Sequence, residues 1–263
     1  MNRWSWKKMN DKEMSMIEHL SELRRRLIWV IACFILFMVI GFISAKPVVE
    51  YMKNDPAASQ ISWHVFGFTD ALRIYMQVAF VIAIVLTLPV ILYHVWRFMS
   101  PGLTELERRA LLLYIPFAFL LLLLGISFGY YILFPMIIGF MSNFTYALGA
   151  EETYGLTQYF QFMFNLIVPV SLLFELPVII LFLTTIRVLN PMILVKFRKY
   201  ALFLSVVISA LITPPDFISN ILVAIPLVIL YEISIWLSKW VYRKQKEKDK
   251  EWEEEFALIK TDD

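Results

Sequence analysis

Six long apolar stretches, separated by segments in which lysine and arginine are alternately plentiful and scarce, leave this chain few folds to adopt. A bilayer span takes about 20 mostly apolar residues. Stretches near 27–45, 71–96, 111–135, 157–184, 200–213 and 219–238 meet or approach that length. Hydrophobic residues make up 60% of 263, more apolar surface than a soluble domain of this size hides. The expected fold is all-α, a polytopic membrane protein of six transmembrane helices.

Charge fixes the expected orientation. The N-terminal segment carries Arg3, Lys7, Lys8, Lys12 and Arg24 to Arg26. The second connection has Arg97, Arg108 and Arg109, and the fourth has Arg187, Lys196, Arg198 and Lys199. The tail adds Lys239, Arg243, Lys244, Lys246, Lys248, Lys250 and Lys260. The third connection (136–156) and the fifth (214–218) have neither lysine nor arginine, and the first has Lys46 and Lys53. Positive segments stay cytoplasmic, so both termini are expected inside, a parity that six spans satisfy. The reading divides the chain into a cytoplasmic N-terminal segment (1–26), a six-helix membrane domain (27–238) and a charged cytoplasmic tail (239–263), solvated as a helix or disordered. The first apolar run lacks a small-residue cleavage site and reads as a retained helix rather than a cleaved signal.

Little in the sequence points to catalysis. Net charge is +2, giving no global field for nucleic acid. The single cysteine, Cys33, lies in the first span and excludes a disulfide framework or cysteine metal site. His19, His64 and His94 are scattered, and there is no GxxxxGK[ST], HExxH or GxSxG. No catalytic residue, metal or cofactor is expected. Any work the protein supports draws its energy from a source other than ATP bound here.

Two cytoplasmic segments carry patterned acids. Residues 15–27 read SMIEHLSELRRRL, with Ser15 and Glu18 spaced as a capping box and Ile17, Leu20, Leu23 and Leu27 on one stripe. This piece is expected to lie along the membrane face and then turn into the first span. Glu22 either pairs with Arg26 one turn on or offers its carboxylate to a cationic ligand. In WRFMSPGLTELERR (96–109), Ser100-Pro-Gly makes a turn and Thr104 caps a helix with Glu107 at the box position. Glu107 is either a cap or a ligand carboxylate. Both acids sit at one cytoplasmic level, and carboxylates bind guanidinium groups bidentately, so together they could receive a pair of arginines.

Pro89, Pro116, Pro135, Pro169, Pro177 and Pro226 fall in or at the ends of spans and predict kinked, curved helices. Glu175 is an acid well inside the fourth span, where a charge is costly unless it faces protein, water or a partner. Gln158, Gln161 and Asn165 share roughly one side of that helix with it. It either locks helices together or serves as a functional intramembrane site. The fifth span is too short to cross unaided, so the bilayer thins or a partner covers the mismatch. Glu232 reads as a snorkelling or interhelical acid. Trp63, Phe66 and Phe68 suit an interface belt on the outer side.

Four motifs in order, EHLSELRRRL (18–27), WRFMSPGLTELER (96–108), FELP (174–177) and LITPPD (211–216), resemble those of the TatC family of twin-arginine protein export. The resemblance runs from Glu18 to Trp240. It implies a glove-like, non-enzymatic receptor in the cell (cytoplasmic) membrane that binds paired-arginine signal peptides of folded cargo. It implies single-span TatA/TatB-type partner subunits, self-association in a complex, and drive from the proton-motive force. The family's two signal-peptide glutamates match Glu22 and Glu107. Phe98 matches an aromatic of the same loop, and Arg24, beside Glu22, is grouped with them. Glu175 matches the family's intramembrane acid, with Gln161 and Asn165 as its polar neighbours. Thr213 and the start of span six match a partner-contact region, where Asn220 departs from a frequent glutamine but keeps a polar amide. A secondary transporter using Glu175 as a proton or cation site is the competing reading. An intramembrane protease lacks its nucleophile pair.

Overall fold

In the computed structural model, which describes residues 16–54, 63–150, 153–213 and 216–261, all the regular elements described are helices. Helix α1 (Met16–Lys53) packs along α2 (Asp70–Met99). Phe34 meets Phe80 while Phe42 meets Tyr75, so the two run antiparallel. α3 (Glu105–Phe128) passes through a π-helical turn at Gly129–Leu133 into α4 (Phe134–Ala147). α5 (Leu156–Leu173) and α6 (Leu176–Thr185) follow, then α7 (Pro191–Ile212) and α8 (Phe217–Thr261). α5 packs on α3 and α2, while α8 packs on α6 and α7.

The hydrophobic core lies around α5. Half of the most apolar part of Leu156–Thr185, the α5–α6 stretch, is buried inside the protein, against 6% for that of Ser21–Lys53 in α1. Leu133, Phe134, Phe160, Met163, Leu166 and Val170 are fully enclosed there. Ile28, Ile35, Val39 and Ile43 of α1 remain exposed, as a lipid-facing surface requires. Helices in lipid associate through close packing rather than a hydrophobic drive, and Gly125 permits one such approach. A β-carbon there would stand 2.8 Å from the Ser171 α-carbon and 2.9 Å from the Phe174 β-carbon, so only glycine lets α3 and α5 meet.

The prolines shape the helices, though not always where the periodicity predicts. Pro135 has no N–H and crowds the carbonyl one turn before it, and the ladder widens into the π turn ahead of it. The helix continues beyond the proline, so most of the expected third connection, up to Ala147, is helical. The fourth span is two helices, broken at Phe174–Glu175, with Pro177 in the first turn of α6. No turn separates the amphipathic segment from the first span, because α1 is one helix from Met16. Ser15 and the Glu18 side chain, the expected capping box, lie outside the described residues. The charged tail continues α8 as helix to Thr261.

Five helices, counting α3–α4 and α5–α6 as one each, are long and apolar enough to cross a membrane. The sixth, α7, begins with Asn190 as its cap, accepting from the Met192 N–H at 3.0 Å, and Pro191 as its first residue. Its lysines and arginine occupy the first half, leaving 200–212, roughly 20 Å of helix, against a hydrocarbon core of about 30 Å. Arg198 pairs with Glu232 of α8 at 2.8 Å, which makes Glu232 an interhelical acid. Trp63 stacks edge-on against Tyr159, centroids 5.0 Å apart, whereas Phe66 and Phe68 stay exposed.

Candidate functional site

The sequence 96–109 builds a tight corner. Trp96 at the end of α2 donates its indole N–H to the Arg108 carbonyl at 2.9 Å, and the Arg108 guanidinium lies over its ring. This fastens the end of α2 to the start of α3 across a 3₁₀ turn at Ser100–Gly102. Thr104 caps α3 with a complete capping box. Its hydroxyl accepts from the Glu107 N–H at 3.4 Å, and Glu107 Oε2 accepts from the Thr104 N–H at 3.1 Å. Glu107 is therefore a cap, as one of its readings required. Its other oxygen, Oε1, is turned away from the cap and stands 3.6 Å from Nε of Arg187. Phe98 sits half-buried in the same corner.

Arg187 was not singled out by the sequence. It lies in the turn between α6 and α7, and its guanidinium forks onto Asp249 of α8, Nη2 to Oδ1 at 2.8 Å and Nη1 to Oδ2 at 3.1 Å. The bonded Asp249 carboxylate, above all, raises the Arg187 pKa from its ordinary value. The tail is drawn to this turn a second time, by Gln245 donating to the Thr185 carbonyl at 2.8 Å. That bond satisfies one of the orphan carbonyls at the end of α6.

On α1, Glu22 accepts from Arg26 one turn along, Nε to Oε1 at 3.1 Å, with Nη2 also engaged. The local pair of the simpler reading is thus present. Arg24 is exposed and lines an open hollow with Ser21, Arg25, Ile28 and Trp29.

Glu175 is buried at the junction of α5 and α6, and its Oε1 has no hydrogen-bond partner among the described residues. Gln161 is half-buried on the preceding helix. Asn165 is exposed and lines an open cavity of about 680 Å³ between α1, α2, α5 and α7, together with Arg73, Gln77 and Leu211. Gln77 Oε1 is also buried without a partner there.

Ser209 of α7 links the other two polar residues, Thr213 and Asn220. Thr213 is buried and donates to the Ser209 carbonyl at 2.9 Å, while the Ser209 hydroxyl bonds the Asn220 amide oxygen. Asp216 caps α8, accepting from the Ser219 N–H at 2.6 Å. Two further interhelical bonds, Thr184 to Ser238 at 2.8 Å and Tyr114 to Thr185 at 3.0 Å, fasten α6 to α8 and α3.

The chain is similar to known proteins over most of its length. The family model described as Sec-independent protein translocase protein (TatC) matches residues 18–226. The chain belongs to the TatC family. It is 48% identical over 237 residues to the Sec-independent protein translocase protein TatCy of Bacillus subtilis strain 168, covering 90% of this chain and 93% of that one. It is 44% identical to the TatC of Halalkalibacterium halodurans, covering 94% and 98%. A crystal structure of the twin arginine translocase receptor TatC superposes with a TM-score of 0.73 at 35% identity, covering 85% of this chain and 99% of that chain. As a TatC protein the chain is a multi-pass membrane component of Sec-independent protein transport and not an enzyme.

Proposed function

We propose that this TatC protein is the receptor that binds paired-arginine signal peptides of folded cargo at the cytoplasmic face of the cell membrane. The observation that carries this is the state of Glu107. The capping box holds its backbone and one oxygen, leaving Oε1 turned to a guanidinium. A carboxylate fixed in this way is already organised for an arginine, because little further ordering is needed on binding. Glu22 and Arg24 on α1, with Phe98 in the corner, complete the peptide site. In this reading 1–26 is a cytoplasmic segment, 27–238 the membrane domain and 239–263 a cytoplasmic tail, with both termini inside.

Thr213 at the end of α7 and Asn220 at the start of α8 meet single-span TatA/TatB-type subunits, which cover the hydrophobic mismatch of α7. Glu175, with Gln161 and Asn165, offers polar contacts at membrane depth to cargo or partner helices. The complex contains further copies of this chain and is driven by the proton-motive force.

The direct test is capture of the detergent-extracted protein by an immobilised signal peptide with paired arginines and by its Lys-Lys version. Lysine lacks the planar fork, so the arginine peptide is expected to retain the protein and the lysine peptide to lose it. Equal capture by both would refute the assignment. Orientation has its own check. Single cysteines at Asn54 and Thr104, in a background lacking Cys33, should be labelled from outside and from inside respectively. The reverse pattern would overturn the placement of the peptide site.

A further inference from the structure

The end of α6 is closed in a way that its sequence does not favour. The Arg187 N–H bonds the Thr184 carbonyl at 3.0 Å and the Val188 N–H bonds the Leu183 carbonyl at 3.0 Å. These are the two bonds of a Schellman motif, which places Arg187 at the position where glycine is usual. Arg187 takes that position with φ 61°, as the only non-glycine residue of positive φ among the described residues. Its side chain does what a glycine could not, reaching both Asp249 of the tail and Glu107 of α3. Asp249 takes the two terminal nitrogens as a fork and Glu107 faces Nε, so two carboxylates from distant parts of the chain converge on one guanidinium.

We propose that Glu107 and Asp249 form a two-carboxylate cradle for a guanidinium, filled in the free protein by Arg187 and taken over by an arginine of the signal peptide. The inference rests on the reading of Glu107 as a peptide ligand and adds Asp249 to that site. The exchange is balanced in charge. One fork-bearing cation leaves as an identical one arrives, and neither carboxylate is left bare. Arg187 is half-exposed and free to swing into water, where its loss of contact costs little. Gln245 sits one helical turn before Asp249 and keeps the tail at the α6 end through the Thr185 carbonyl, so the second carboxylate stays in place while the guanidinium changes. The tethered arginine is a standing competitor, and a peptide must displace it to bind.

The experiment uses the full-length protein in detergent and a synthetic signal peptide with paired arginines. R187G removes the competitor and supplies the residue that the backbone prefers, so the fold is kept; thermal unfolding of the purified variant verifies this. Its Kd is expected to fall by about two- to fivefold, the range for a half-exposed ion pair. D249N added to R187G is expected to reverse that gain. If R187G leaves Kd unchanged or raises it while E107Q still weakens binding, the cradle is refuted and Glu107 stands as a ligand by itself. If D249N has no effect in the R187G background, Asp249 is not part of the site and the two-carboxylate cradle falls. If E107Q leaves Kd unchanged, the reading of Glu107 fails and the cradle with it.

Discussion

Glu107→Gln is expected to weaken binding of a paired-arginine signal peptide by about 1.5–3 kcal/mol, the range for a hydrogen bond to a charged group, or roughly tenfold to a hundredfold in Kd. The substitution isolates charge from structure. Glutamine serves at the third position of a capping box as glutamate does, so it can still accept from the Thr104 N–H, and α3 should start in the same place. What is lost is the negative charge on the oxygen turned toward Arg187. Glu22→Gln should weaken binding less. Glu22 is already paired with Arg26, and a ligand gains its carboxylate only by breaking that pair, worth about 0.3–0.5 kcal/mol on a helix. Titration of the folded, detergent-extracted variants with labelled peptide measures both. Unchanged affinity in the two variants would remove the glutamates from the site.

The parts of this architecture that depend on short spacings were legible in the sequence. Thr104 and Glu107 stand three apart ahead of an apolar run, and the capping box is there. Glu22 and Arg26 stand four apart, and the pair is there. Apolar length located the membrane helices, since composition alone decides what hydrocarbon accepts. Helix ends were less legible because a proline in a membrane helix need not stop it. Pro135 is absorbed by a π turn and the helix continues, whereas the break before Pro177 divides a span that reads as one. Neighbouring helices in lipid decide between these outcomes.

Contacts between distant segments left no local sign. Arg187 and Asp249 are 62 residues apart, and Asp249 lies in a run of alternating charges that by itself reads as a solvated face. The charge of Arg187 was visible as a topology signal, but its backbone conformation was not, because nothing in the side chain announces a left-handed residue. A helix end that calls for glycine yet carries arginine would have been the available clue. Ser209 was likewise silent, although its carbonyl holds Thr213 at the end of α7 and its hydroxyl meets Asn220 of α8. A serine in an apolar helix most often bonds back to its own backbone, and here the Val206 carbonyl, 2.9 Å away, competes with Asn220 for the one hydroxyl hydrogen.

Glu175→Ala is expected to lower cargo export and cross-linking to the single-span subunits while leaving signal-peptide affinity at the cytoplasmic face nearly unchanged. The side chain is buried at the break between α5 and α6, with Oε1 unpartnered among the described residues. A polar atom so placed in a membrane protein calls for a hydrogen-bond partner. A helix that supplied one would gain about 1–2 kcal/mol, so its loss corresponds to roughly five- to thirtyfold in association. Glu175→Gln keeps size and hydrogen bonding without needing ionisation, and it should retain most of the export. A purely structural role predicts a different pattern. The alanine variant would then unfold at lower temperature in detergent, and peptide binding, export and cross-linking would all decline together with the amount of folded protein. Measuring thermal stability, site-specific cross-links and export for both variants separates these cases. Normal export and normal cross-links in a stable Glu175→Ala protein would show that the buried acid has no part in transport.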